Sequence, residues 1–152
     1  FMADCPDIIL IEHHGLRVAV LHGGVSARNR FLWETDPDTV FLEELDLLEG
    51  QVGSVDLVLA GHSGLAFERK IGRVRWVNCG TIGLPANRGR AETEFAVLKG
   101  GDVTICSLPY DVERAQAGMR AAGLTQGYEQ SLITGYWPNE DILPRALRRV
   151  PA

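Results

Sequence analysis

The sequence predicts a layered α/β domain whose chemistry sits at the carboxyl ends of its sheet strands. Three observations predict it. Two short, almost continuous apolar runs, Leu16–Leu21 and Val55–Ala60, read as strands buried on both faces. A stretch of helical periodicity separates them. Each run stops at a polar, glycine-bearing loop, His22-Gly23-Gly24 and Gly61-His62-Ser63-Gly64. In α/β folds the loops past the carboxyl ends of the strands are where ligands bind.

The elements follow in order. Asp7 to Leu21 predicts a hairpin, with Ile8–Ile11 as one strand, a turn at His13-His14-Gly15, and Leu16–Leu21 returning. Asp36 then reads as a helix N-cap, with Pro37 at the first helical position. Phe41, Leu45 and Leu48 share the apolar face; Glu43, Glu44, Asp46 and Glu49 are expected in water, and Gly50 is the expected stop. After the second apolar strand, Phe67 to Asn78 predicts a hairpin turning at Gly72. Glu94–Leu98 and Val103–Leu108 predict another, turning at Gly100-Gly101. From Asp111 the pattern becomes helical, with Val112, Ala115, Met119 and Ala122 as an apolar stripe and Asp111 as its cap. Short helices are expected around Gln126 to Ile133 and Glu140 to Arg149. The change of character at Pro109-Tyr110 divides the chain into a sheet-bearing part, 1–109, and a helical segment, 110–152, of the same domain.

Composition excludes several classes. At 152 residues with 45% hydrophobic content, the chain suits one domain with a core. A net charge of −5 leaves no basic excess for nucleic acid, so an anionic substrate would need local Arg, Lys or metal ions. No apolar run approaches the roughly 20 residues of a membrane span, and the opening residues, with Asp4, Pro6 and Asp7, do not read as a signal peptide. Cys5, Cys79 and Cys106 are odd in number and unpaired in spacing, which argues against a disulfide framework or a structural zinc site; a cytoplasmic location is expected.

Among chemistry-bearing residues, His22 and His62 stand out as a pair. Each follows an apolar strand beside glycine, and neutral imidazole is a common transition-metal ligand. His13 and His14 read instead as a solvated turn. The glycine-rich stretch Asn78–Pro85 suits either an anion cradle of backbone N–H groups or a tight loop joining two sheet edges. Arg28, Arg30, Arg88 and Arg90 flank the candidate loops and read as solvated. Ser63 adjoins His62, yet no nucleophile elbow, Walker loop or dinucleotide fingerprint is present.

Three motifs in order resemble the calcineurin-like metallophosphoesterases. Val18-Ala19-Val20-Leu21-His22-Gly23 is similar to their strand-then-His-Gly motif. Val58-Leu59-Ala60-Gly61-His62-Ser63-Gly64 resembles their Gly-His-x-His motif, and Asn78-Cys79-Gly80-Thr81-Ile82-Gly83 the Asn-x-Gly-Ser-x-Gly segment that follows. The resemblance implies part of a four-layered α/β/β/α sandwich. It also implies hydrolysis of a phosphomonoester, phosphodiester or nucleotide with two divalent metals (Mn, Fe, Ni, Co or Zn) per intact site, which polarise the phosphate while a bridging water attacks in line. By resemblance His22 and His62 ligate the same metal. The second histidine of Gly-His-x-His is Gly64 here, and the family's N-terminal carboxylate motifs do not occur. The chain is therefore expected to be a C-terminal portion, incomplete for catalysis and weak in metal binding by itself, with an exposed apolar sheet edge that invites homo-oligomers. The alternative is a non-catalytic nucleotide-binding or scaffolding relative.

Overall fold

The computed structural model describes residues 5–124 and 126–149. Strands β1 (Ile8–His13) and β2 (Leu16–Leu21) form the expected antiparallel hairpin, with Leu10 opposite Ala19. Helix α1 (Asp38–Val52) carries the chain over to β3 (Leu57–Ala60), which runs parallel to β2. β4 (Phe67–Ile71) and β5 (Val74–Asn78) pair antiparallel, and β5 inserts parallel to β3. The sheet order is β1-β2-β3-β5-β4, so three adjacent parallel strands, β2, β3 and β5, end side by side. β6 (Thr93–Lys99) and β7 (Asp102–Leu108) make a separate two-stranded sheet. α2 (Val112–Ala121), α3 (Tyr128–Thr134) and a short 3₁₀ turn, Arg145–Leu147, complete the described chain.

The alternation along the strands sorts the core into two faces. Ala19, Val58 and Trp76 point toward α1, where Phe41, Leu45 and Leu48 meet them. Phe41 lies edge-on to Trp76 with ring centroids 5.6 Å apart. Burying each such side chain contributes about 1.5–3 kcal/mol of transfer free energy. On the opposite face Val18, Leu57 and Val77 are covered by Ala96, Leu98 and Val103 of the β6–β7 hairpin. Helix, sheet and hairpin thus stack in layers. At the β1 edge Ile9, Leu10 and Ile11 remain exposed.

Several local expectations are corrected. Pro37, not Asp36, precedes the first turn of α1; the Asp36 carboxylate is already engaged by the Trp33 N–H at 2.8 Å and cannot cap. The helix runs through Gly50 and stops at Gly53, whose N–H bonds the Glu49 carbonyl. Glu44 does not face water: it is wholly buried. Its carboxylate accepts from the N–H groups of Val25 and Ser26 and from the Ser26 hydroxyl, and pairs with Arg30 at 3.0 Å. A buried charge survives only when so fully bonded. Asp111 does cap α2, accepting from the Arg114 N–H at 3.0 Å, but no residue of that helix is buried and Ala122 is exposed. The helix packs against α3. Glu140 to Arg149 yields only the 3₁₀ turn, because Pro144 has no N–H to donate and the Arg148 guanidinium takes the Leu143 and Asp141 carbonyls. His13, expected in a solvated turn, is half-buried at the end of β1.

Candidate functional site

The parallel strands β2, β3 and β5 end on three loops that are stitched to one another. The Gly61 N–H donates to the His22 carbonyl at 2.9 Å. Asn78, at the end of β5, donates its amide to the Gly61 carbonyl at 2.6 Å and accepts from the Gly80 N–H at 3.1 Å. Ser63 is buried and its hydroxyl is spent on the backbone of Leu32, donating to the carbonyl at 2.7 Å and accepting from the N–H at 3.0 Å. Ser63 therefore positions a loop and is not presented as a nucleophile.

This stitching brings the two histidines together. His22 Nε2 lies 3.0 Å from His62 Nδ1, with ring centroids 4.9 Å apart. The separation allows a hydrogen bond when one ring donates. It is also the spacing of two imidazoles on one ion, since ligands at about 2.1 Å subtending roughly 90–109° stand about 3.0–3.4 Å apart. His62 has a left-handed backbone with φ of 60°, a conformation that costs a non-glycine residue about 1–2 kcal/mol. Such strain clusters at functional sites. Burial, then the neighbouring His22, lower the pKa of His62, and the backbone of Asn29 offsets part of the effect. The ring is thereby held toward the neutral form a metal requires. Its Nε2 is buried without a hydrogen-bond partner. Gly23 makes the packing feasible, because a Cβ there would stand 2.4 Å from the Arg28 carbonyl and 3.1 Å from the His62 Cβ.

The pair opens into a cleft of about 710 Å³ whose walls include Phe31, Tyr128, Trp137 and Ile142. The Phe31 ring is tilted over His62 at 4.4 Å and stacked on Trp33 at 5.3 Å. Trp137 arrives from the C-terminal segment and lies over Gly64: a Cβ on Gly64 would meet its ring at 3.2 Å, and the φ of +74° there already disfavours a side chain. Asn87 fixes that segment, accepting from the Trp137 N–H at 2.8 Å and donating to Glu140 at 2.8 Å. The Trp137 indole donates to the Pro85 carbonyl at 2.7 Å. The glycine-rich stretch thus has two roles. Gly80, Thr81 and Gly83 face the cleft, while Pro85 to Asn87 anchor its wall.

Three of the four arginines flanking these loops, Arg28, Arg30 and Arg88, hold ion pairs of their own. Arg28 pairs with Asp7 at 3.1 Å, Arg30 with Glu44 at 3.0 Å, and Arg88 with Glu94 at 2.9 Å. His13 and His14 sit at the opposite end of β2 from His22. Among the described residues no group of three or more His, Cys, Asp or Glu is arranged to hold a metal ion. Sequence pattern alone does not single out Phe31, Asn87 or Trp137. Asn78 leaves a trace there, as the first residue of the glycine-rich motif.

Comparison with known proteins fits this geometry at the level of the fold. No family model matches the sequence, and no curated protein does. Among the solved structures that match, two share the architecture over most of this chain. One is the hypothetical protein PH1004 from Pyrococcus horikoshii OT3, with a TM-score of 0.71 at 15% identity over 87% of this chain and 52% of that one. The other is a metallophosphoesterase from Sphaerobacter thermophilus, with a TM-score of 0.69 at 16% identity over 88% of this chain and 59% of that one. The chain has the calcineurin-like metallophosphoesterase fold, and it spans between half and three-fifths of the length of these two structures. No helix among the described residues is long and apolar enough to cross a membrane.

Proposed function

We propose that this chain is part of a divalent-metal phosphoesterase, in which His22 and His62 ligate one metal and the adjoining cleft receives a phosphorylated small molecule or nucleotide. The observation that carries this reading is the approach of His22 Nε2 to His62 Nδ1 at 3.0 Å, at the ends of two adjacent parallel strands. Imidazole ligands suit Fe, Ni or Zn, and the family resemblance adds Mn and Co. The residues do not fit a complete two-metal centre: Gly64 has no side chain, and no third His, Cys, Asp or Glu joins the pair among the described residues. No hydrolytic step is therefore assigned to this chain's side chains, and the carboxylate ligands are placed in a longer protein that contains it. The unbridged thiols of Cys79 and Cys106 suit a cytoplasmic setting. The exposed β1 edge suits pairing with a second copy.

Cobalt titration of the purified chain, followed by visible absorption, tests the ligands. Weak uptake that disappears in both His22→Ala and His62→Ala is expected. Tight stoichiometric uptake that persists in either variant overturns the assignment. In the longer protein, hydrolysis of an aryl phosphate or phosphodiester with Mn²⁺, Ni²⁺, Co²⁺ or Fe²⁺ is expected; no turnover with any of them counts decisively against the reaction.

A second reading, a non-catalytic nucleotide-binding or scaffolding relative, is favoured by one observation: the Trp137 ring covers Gly64, where the family motif carries its second histidine. It predicts ligand binding without turnover. Turnover by the longer protein that is lost on His62→Ala would sink it.

A further inference from the structure

The cleft beside the histidines has a chemistry that narrows its ligand. No Asp, Glu, Lys or Arg lines it among the described residues. A ligand charged throughout its length would lose its hydration against these walls and gain nothing in return. A volume of about 710 Å³ is also far more than a phosphate alone fills, and falls within the usual range for drug-sized ligands. Aromatic and aliphatic surface is held open there. Tyr128 is 47% exposed and Ile142 53% exposed, and both face the cleft. Tyr128 stacks on no other ring among the described residues, so its π-face is unspent. Trp137, 6% exposed, is fixed in place by Asn87 and its indole N–H is satisfied by Pro85, so it backs the cleft as a rigid apolar wall with no polar demand. Besides the two histidines, the polar side chains lining the cleft are Thr81, Asn139 and the hydroxyl of Tyr128, enough to orient a ring edge.

We propose that this cleft seats an uncharged, flat aromatic group of the ligand, a nucleobase or an aryl ring, with the phosphate end directed toward His22 and His62. The direction of the phosphate end rests on the phosphoesterase reading; the aromatic seat does not. Tyr128 and Ile142 form the exposed side of the seat, and Trp137 its fixed wall. The glycines of the loops after β3 and β5 let a flat ring approach the backbone.

Calorimetric titration of the 152-residue chain in EDTA tests the seat, with adenosine, AMP, phenyl phosphate and ribose 5-phosphate as probes. Adenosine or phenyl phosphate is expected to bind at least tenfold more tightly than ribose 5-phosphate; whichever binds better identifies the ring as nucleobase or aryl. Tyr128→Ala is expected to weaken that binding roughly tenfold, the scale of one lost ring stack. Ile142→Ser serves as a second variant, and circular dichroism reports whether each remains folded. The proposal is overturned if neither aromatic probe exceeds ribose 5-phosphate, or if both folded variants bind as the parent does. Because EDTA removes metal from the experiment, failure of the metal assignment leaves these titrations unchanged. Metal-dependent turnover with no aromatic preference would overturn the seat alone.

Discussion

Replacing Glu44 with alanine tests how the site loop is held. Glu44 lies in α1, yet its carboxylate organises the loop that follows His22. One oxygen accepts from the Val25 and Ser26 N–H groups at 2.5 and 2.9 Å; the other accepts from the Ser26 hydroxyl at 2.5 Å and pairs with Arg30 at 3.0 Å. Alanine removes all four contacts. The Arg30 side chain is 34% exposed and turns to solvent, so its charge term is discounted. Ser26 also reaches water. The N–H of half-buried Val25 is left without its acceptor, at about 1–3 kcal/mol, and a small cavity adds to this. Relief of the buried charge returns part of the cost. The expected net loss is about 2–3 kcal/mol, read as a shift in the urea midpoint with an unchanged slope, or roughly 5–10 °C in Tm. Glu44→Gln keeps one acceptor oxygen and is expected to cost about half as much. Cobalt uptake should weaken further in Glu44→Ala, because the loop that follows His22 is no longer held by that carboxylate. A Glu44→Ala change within about 0.5 kcal/mol of the parent, the ordinary surface range, would refute this account.

Four further outcomes follow from the same geometry. Asn78→Ala frees the Gly61 carbonyl and the Gly80 N–H, and a loss of about 2 kcal/mol in urea denaturation is expected, with weaker cobalt uptake. Gly64→His places a side chain at φ +74° against the Trp137 ring; denaturation should show a loss of at least about 2 kcal/mol, and titration no gain in cobalt affinity. For His62 the folded pKa lies below its ordinary value of 6.5, so the unfolded chain binds more protons at mildly acidic pH. Its contribution is therefore fully present above about pH 6.5 and is lost as pH falls toward the folded pKa; His62→Gln should become more stable relative to the parent between pH 7.5 and pH 5, by urea midpoints. Burial raises the pKa of the Cys79 thiol, so alkylation by iodoacetamide at pH 8, followed by mass spectrometry, should be slower there than at a model peptide thiol.

Much of the fold is legible in the sequence because its signals are local. The runs Leu16–Leu21 and Val55–Ala60 declare themselves as strands through apolar continuity, and the glycines at 72 and 100–101 mark hairpin turns without tertiary information. That His22 and His62 end adjacent parallel strands is also within reach, since a strand, a crossover helix and a second strand leave both carboxyl ends on one side. Glu44 is misread because helical periodicity assigns a residue to a face but does not reveal what the loop above that face needs. Asn87 and Trp137 escape for a related reason. They are 50 residues apart, their contact is a single hydrogen bond, and no periodic pattern encodes it. The stripe of α2 is legible as a helix but not in its burial, because among the described residues the element it chiefly packs on is the short helix α3.

Gly64 shows why a residue type can mean one thing in a motif and another in a structure. Against the motif, it is a ligand withdrawn. In the fold, its left-handed backbone and the Trp137 ring at 3.2 Å from a Cβ position give glycine a structural reason of its own. Trp137 in turn is not free to yield: its backbone N–H is held by Asn87 and its indole by Pro85, and Asn87 also binds Glu140 further along the same segment. The space that a second histidine would use is therefore occupied by an anchored apolar wall. Glycine at 64 leaves room for that wall, which is apolar where a histidine side chain would be polar. The bonds that bring His22 and His62 together run through Gly61 and Asn78 and do not involve Gly64.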